Sequence, residues 1–128
     1  PAPHGDRPLS HKEQARRYSA EIDAWAEARV RIEGVPDAAV FRATVAEWLD
    51  RITADAQPGQ TVLAVTSGGV ISAAVAIALD LPDARLAHFM RSIYNASLTE
   101  FAFSAGRPPA LVSFNVASYL PESLLTRI

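Results

Sequence analysis

Thr61-Val62-Leu63-Ala64-Val65 is a short apolar run that passes through Thr66-Ser67-Gly68-Gly69 directly into the apolar segment Val70 to Leu79. The first part is rich in β-branched residues, follows Pro58-Gly59, and is too short for a helix. It therefore reads as a strand buried on both faces, which belongs in a parallel or mixed sheet with helices packed over it. Val70 to Leu79 is apolar nearly all round and reads as a well-covered helix that stops at Asp80-Leu81-Pro82.

Working outward, Leu98 to Phe103 and Ala110 to Phe114 read as two more strands, separated by Ala105-Gly106-Arg107-Pro108-Pro109. Upstream, Ser10 followed by Glu13 is a capping-box pattern, and Tyr18, Ile22, Trp25 and Arg29 or Val30 recur at spacings of three and four. This predicts a helix to about Ile32. Gly34, Pro36 and Asp37 break it, with Asp37 as the N-cap of a second helix whose stripe is Val40, Phe41, Val45, Trp48, Leu49 and Ile52. The order helix, helix, strand, helix, strand, strand predicts an α/β layered domain.

The 128 residues suffice for one domain with a sizeable core. The chain has no cysteine, which excludes disulfides, thiolate metal sites and cysteine nucleophiles. A net charge of -2 argues against nucleic acid as a partner. Arg16, Arg17, Arg29 and Arg31 are interleaved with Glu13, Glu21, Glu27 and Glu33, the pattern of a solvated helix face. Thr61 to Leu79 is uncharged and nearly long enough to cross a bilayer. Thr66-Ser67-Gly68-Gly69 interrupts it, however, and Asp80 and Asp83 follow it, so no membrane span is expected. Pro1-Ala2-Pro3-His4-Gly5-Asp6 has no apolar core and is not a signal peptide, which makes a cytoplasmic location the expectation.

Candidate chemistry concentrates at Val65-Thr66-Ser67-Gly68-Gly69-Val70, the turn from the end of a buried strand into a helix, where open α/β sheets bind ligands. Glycines let a ligand approach the backbone, and free N-H groups of a first helical turn favour an anion such as phosphate. The plainer reading is a tight strand-to-helix turn. His4, His11 and His88 are too widely spaced for a metal motif. His11 is expected to be exposed, and His88, between Leu86 and Phe89, to be half-buried. No close carboxylate pair favours paired-acid hydrolysis. Ser67 followed by Asp83 and His88 also echoes a serine hydrolase, but the elbow's first glycine is Val65 and the acid and base come too soon after the serine.

Val62 to Ile71, Asn95-Ala96-Ser97-Leu98-Thr99-Glu100-Phe101 and Leu111-Val112-Ser113-Phe114-Asn115 together resemble the later half of the histidine phosphatase superfamily, the phosphoglycerate mutase-like proteins. Phe41-Arg42-Ala43-Thr44-Val45 and Leu49 resemble the helix before that strand, so the likeness covers about Phe41 to Leu120. It implies a three-layer α/β/α sandwich with a mixed, mostly parallel sheet. Residues 1–128 would form a single domain, with 1–36 a variable or cap-helix region and 37–128 the family-like core. It also implies phosphate-ester hydrolysis or phosphoryl transfer through a phosphohistidine on a small phosphorylated molecule, with no metal or organic cofactor.

The departures bear on the chemistry. Where the family's turn usually reads His-Gly-Gly, this chain has Ser67-Gly68-Gly69, and a hydroxyl cannot carry an imidazolium's charge. Thr44 stands where an arginine is common. The family's acidic proton donor falls near Pro36 or Asp37; Asp37 replaces it if the register slips by one, and Glu33 lies several residues too early. Tyr119 matches a later family histidine. The family begins with a strand ending in Arg-His-Gly that supplies the nucleophile. Pro3-His4-Gly5-Asp6 echoes that motif, and Leu9-Ser10 and Gln14-Ala15 echo the Leu-Thr and Gln-Ala that come after it in the family. Too few residues precede His4, however, for a central strand. The chain thus reads as incomplete at its N-terminus or missing internal segments. The resemblance gives Ser67 and His4 as candidate catalytic residues, and Ser67, Gly68 and Gly69 as the phosphate-binding turn. The alternative is a non-catalytic module that keeps the Ser-Gly-Gly anion turn and has lost the chemistry.

Overall fold

The computed structural model describes residues 7–127. It comprises α1 (His11–Ala26), α2 (Ala38–Thr53), α3 (Gly68–Ala78), α4 (Leu86–Ser92), β1 (Leu98–Ala102) and β2 (Ala110–Val116), with short 3-10 turns at Asp83–Arg85 and Glu122–Leu124. Helices and a small sheet are therefore combined in one chain, as an α/β reading requires.

The start of α1 is set by a short local pattern. Ser10 Oγ accepts from the Glu13 N-H at 3.2 Å and the Glu13 carboxylate accepts from the Ser10 N-H at 2.7 Å, which closes the predicted capping box. That backbone bond, then the Ser10 hydroxyl, and last the Arg7 guanidinium hold the Glu13 carboxyl below its ordinary range. A carboxyl lowered in the folded state contributes stability above the ordinary carboxylate range and loses it as pH falls through the folded value. The difference in melting temperature between the native chain and Glu13→Gln is accordingly expected to be full at neutral pH and to vanish on acidification. A difference constant with pH would reject the charged capping box.

α1 ends at Ala26, short of the expected Ile32. The Arg29 N-H bonds to Ala24 O at 2.8 Å and the Ala28 N-H to Trp25 O at 3.1 Å, a Schellman closure that puts Ala28 at φ 58°. Trp25 Nε1 donates to Pro36 O at 2.9 Å and ties the next segment back across the helix end, so Val30 lies exposed rather than on a helical stripe. Glycine has no Cβ to strain at that φ; Ala28→Gly is expected to stabilise the chain by about 0.5–1 kcal/mol in urea denaturation. α3 closes in the same way, with Leu81 N-H on Ala76 O at 2.9 Å and Asp80 at φ 51°.

α3 is the centre of the core, as its all-round apolar surface predicts. Ser72, Ala73, Val75 and Ala76 are fully buried. α2 and α4 pack on it, α1 packs on α4, and Val45, Leu49, Ile22, Trp25 and Leu86 complete the cluster. Small side chains on α3 let these helices approach closely, while Trp25 and Phe41 meet edge to face at 5.9 Å and fill the volume beside them. Arg42 of α2 reaches the end of α3, donating to Leu81 O, to Ala76 O at 3.3 Å and to Asp83 Oδ1 at 3.3 Å. The orphan carbonyls of that helix end thus gain a cationic donor.

The decisive stretch departs from expectation. Residues 61–67 form no strand, and among the described residues no backbone group of 61–66 is hydrogen-bonded. Leu63 is 81% and Val65 96% exposed, so the run is not buried on both faces. A strand exists only with a partner, and none of the described segments runs beside this one. The sheet is β1 and β2 alone, antiparallel, with Leu98 opposite Val116, Glu100 opposite Ser113 and Ala102 opposite Ala110. A parallel sheet and a third layer are absent from the described residues. Among the described residues no helix is long and apolar enough to cross a membrane; α3 spans 11 residues.

Candidate functional site

Ser67 is the N-cap of α3, in extended geometry at φ -93° and ψ 162°. Its carbonyl accepts from Ile71 N-H at 3.1 Å, the first bond of the helix, while its side chain makes no capping bond and is exposed. The N-H groups of Gly68, Gly69 and Val70 have no acceptor among the described residues. A free, exposed hydroxyl and three amides without an acceptor therefore stand together at the positive end of a helix, an arrangement that attracts an anion.

The first turn of α3 is held from behind. A Cβ on Gly69 would meet Phe41 Cζ at 3.6 Å, Met90 Cε at 3.8 Å and Ser67 Oγ at 3.9 Å, all ordinary contacts. The side-chain position of Gly69 thus faces α2 and α4, and alanine would fit there. The buried hydroxyl of Ser72 donates to Gly68 O at 2.7 Å. Phe41, Met90 and Ser72 are neighbours of the turn that the sequence does not single out for this purpose. Ser72 is signalled only by being a polar residue four positions after Gly68 in an alanine-rich run.

The remaining candidates lie elsewhere. Asp37 is the N-cap of α2, as expected, but its side chain caps nothing and pairs with Arg31 at 3.7 Å. Glu33 is exposed in the connection before it. Thr44 Oγ1 donates to Val40 O at 3.0 Å within α2, and the Tyr119 hydroxyl donates to Ala96 O. None of these four shares a hydrogen bond with the turn at 67–69. His4 lies outside the described residues. His11 is exposed, and His88 is exposed rather than half-buried, touching Phe89 edge-on at 5.5 Å because it lies on the outer side of α4. Among the described residues no group of three His, Asp or Glu side chains could hold a metal ion.

A serine-hydrolase arrangement is excluded by distance. Asp83 is bonded to Arg42, which also holds Ala76 O at the C-terminal end of α3, whereas Ser67 stands at its N-terminal end. At 1.5 Å per residue the helix separates them by about 16 Å. Two shallow hollows, one lined by Tyr94, Asn115 and Leu125 and one by Arg42, Leu81 and Asp83, both lie away from the turn.

Compared with known protein families, residues 6–117 fit the model of the histidine phosphatase superfamily, branch 1. No curated protein and no solved structure matches.

Proposed function

Because the chain belongs to the histidine phosphatase superfamily, we propose that it acts on phosphate monoesters, with Ser67 and the amides of Gly68 and Gly69 taking the phosphoryl oxygens. The carrying observation is the turn at the head of α3, with the exposed, uncommitted hydroxyl of Ser67 and its unpaired amides. In this reading His4 is the nucleophile. Its imidazole nitrogen forms a bond to phosphorus as the ester P–O bond breaks, and the departing oxygen takes up a proton from solvent; water then attacks phosphorus, the N–P bond breaks, and phosphate leaves with the imidazole restored. Ser67 donates a hydrogen bond to the transferring group but adds no positive charge, so turnover is slow relative to a histidine at that position. The substrate is a small phosphorylated molecule, and the protein acts in the cytoplasm. The parent architecture is the three-layer α/β/α sandwich with a mixed, mostly parallel sheet, and 37–128 is the family-like core of a single domain over 1–128.

A second reading, binding without turnover, draws on the same neutral Ser67. One titration addresses both. Inorganic phosphate at ten times its Kd is expected to stabilise the folded chain by roughly 1.4 kcal/mol relative to chloride at equal ionic strength. Ser67→Ala is expected to weaken that response. Release of phosphate from phenyl phosphate, abolished in His4→Ala, supports the catalytic reading, and saturable stabilisation without release supports the binding one. Absence of any stabilisation at millimolar phosphate rejects both.

A further inference from the structure

We propose that Ser72 is a positioning residue for this turn, an inference that rests on the phosphate-binding reading of Ser67-Gly68-Gly69. Ser72 is fully buried, and its hydroxyl makes one hydrogen bond, to Gly68 O at 2.7 Å. Its neighbours along α3, Ala73, Ala74 and Ala76, are buried and apolar, so packing alone gives no reason for a hydroxyl here. A buried hydroxyl is costly unless paired, and an alanine would fill the same helix at no such cost.

The bond acts on the site through one peptide plane. Gly68 C=O and Gly69 N-H belong to the same rigid unit and point in opposite directions along α3. Fixing the carbonyl from inside the protein therefore fixes the direction in which the Gly69 N-H points out. Two consecutive glycines make the least restrained first turn a helix can have, so this peptide is the one most in need of a second tether. A hydrogen bond accepted at the carbonyl also polarises the peptide and strengthens its N-H as a donor. Hydroxyls bonding four residues back occur elsewhere in the chain, at Thr44, Thr53 and Ser92. None of those is fully buried, and none holds the peptide of a glycine pair.

The test is the Gly69 amide of the full chain, followed by NMR with and without inorganic phosphate, in the native protein and in Ser72→Ala, Ser72→Cys and Ser72→Thr. Circular dichroism establishes folding, and Ser72→Cys, a weak donor of similar size, serves if the alanine variant is unstable. Ser72→Ala is expected to raise the Kd for phosphate about fivefold and to shift the ligand-free Gly69 amide upfield. Ser72→Thr, which keeps the hydroxyl, is expected to restore both. Variants with unchanged Kd and unchanged Gly69 amide overturn the proposal, because Ser72 then does no more than satisfy itself. Failure of the native chain to respond to phosphate overturns the phosphate reading alone, since the ligand-free Gly69 amide still decides whether Ser72 holds the peptide.

Discussion

Ser67→His is expected to raise kcat/KM for phenyl phosphate by about 100-fold, the scale on which a single donor to a developing oxyanion acts. The backbone at Ser67 is extended, a conformation any residue adopts, and its side chain is exposed and uncommitted, so an imidazole enters without displacing a contact. What it brings is charge. Hydrogen bonds from a cation to phosphate are roughly twice as strong as neutral ones, and in the transition state the negative charge is spread over the three equatorial oxygens that such a cation would contact. The gain belongs to the imidazolium form. A raised histidine pKa keeps that form present at lower pH and loses it as pH rises through the folded value, and bound phosphate pushes in that direction. The gain should therefore be largest in mildly acidic buffer and shrink above neutrality. Phosphate affinity rising without turnover would favour the binding reading, and no change in either would remove Ser67 from the phosphoryl contact.

Such a substitution can be planned from sequence because Ser67-Gly68-Gly69 is a local pattern whose role is carried by adjacent backbone amides. The same locality made α1's capping box legible, with donor and acceptor three residues apart, and let the apolar run of α3 announce a central helix. Segment 61–65 shows the opposite case. Its composition states a preference for strand, but a strand is completed by a neighbour, and among the described residues Leu63 and Val65 have none. The end of α1 was hidden for a related reason. The bond from Trp25 to Pro36 and the positive φ of Ala28 are decided by how the next segment returns across the helix, which spacing does not encode. Arg42 illustrates the limit at side-chain level. It sits beside Phe41 in a helical stripe, and only the meeting of α2 with the end of α3 reveals it as a donor to Ala76 O and Leu81 O.

Asn115 is the most consequential residue of that hidden kind, and Asn115→Ala is expected to cost about 3 kcal/mol, lowering the melting temperature by roughly 10 °C. Its Oδ1 accepts from Tyr94 N-H at 2.8 Å, its Nδ2 donates to Ser92 O at 2.8 Å, and its own N-H donates to Thr99 Oγ1 at 3.1 Å. The side chain therefore closes the C-terminal end of α4 onto β2, where the pairing slips between Leu98 opposite Val116 and Glu100 opposite Ser113. An extra residue must bulge there, and Asn115 takes it up at φ 56°. Asparagine suits both tasks, tolerating the left-handed region and carrying one acceptor and one donor on one planar group. Alanine fails at both: two part-buried backbone groups lose their partner, at about 1 kcal/mol or more each, and a Cβ is strained at positive φ. Glycine separates the contributions, since it relieves the backbone and still lacks the amide. Asn115→Gly is accordingly expected to cost about 2 kcal/mol, and the difference between the two variants in urea denaturation measures the strain. Losses below about 0.5 kcal/mol in both would show that α4 and the hairpin hold together without this clamp. A cost equal in both would place the whole effect in the two side-chain bonds.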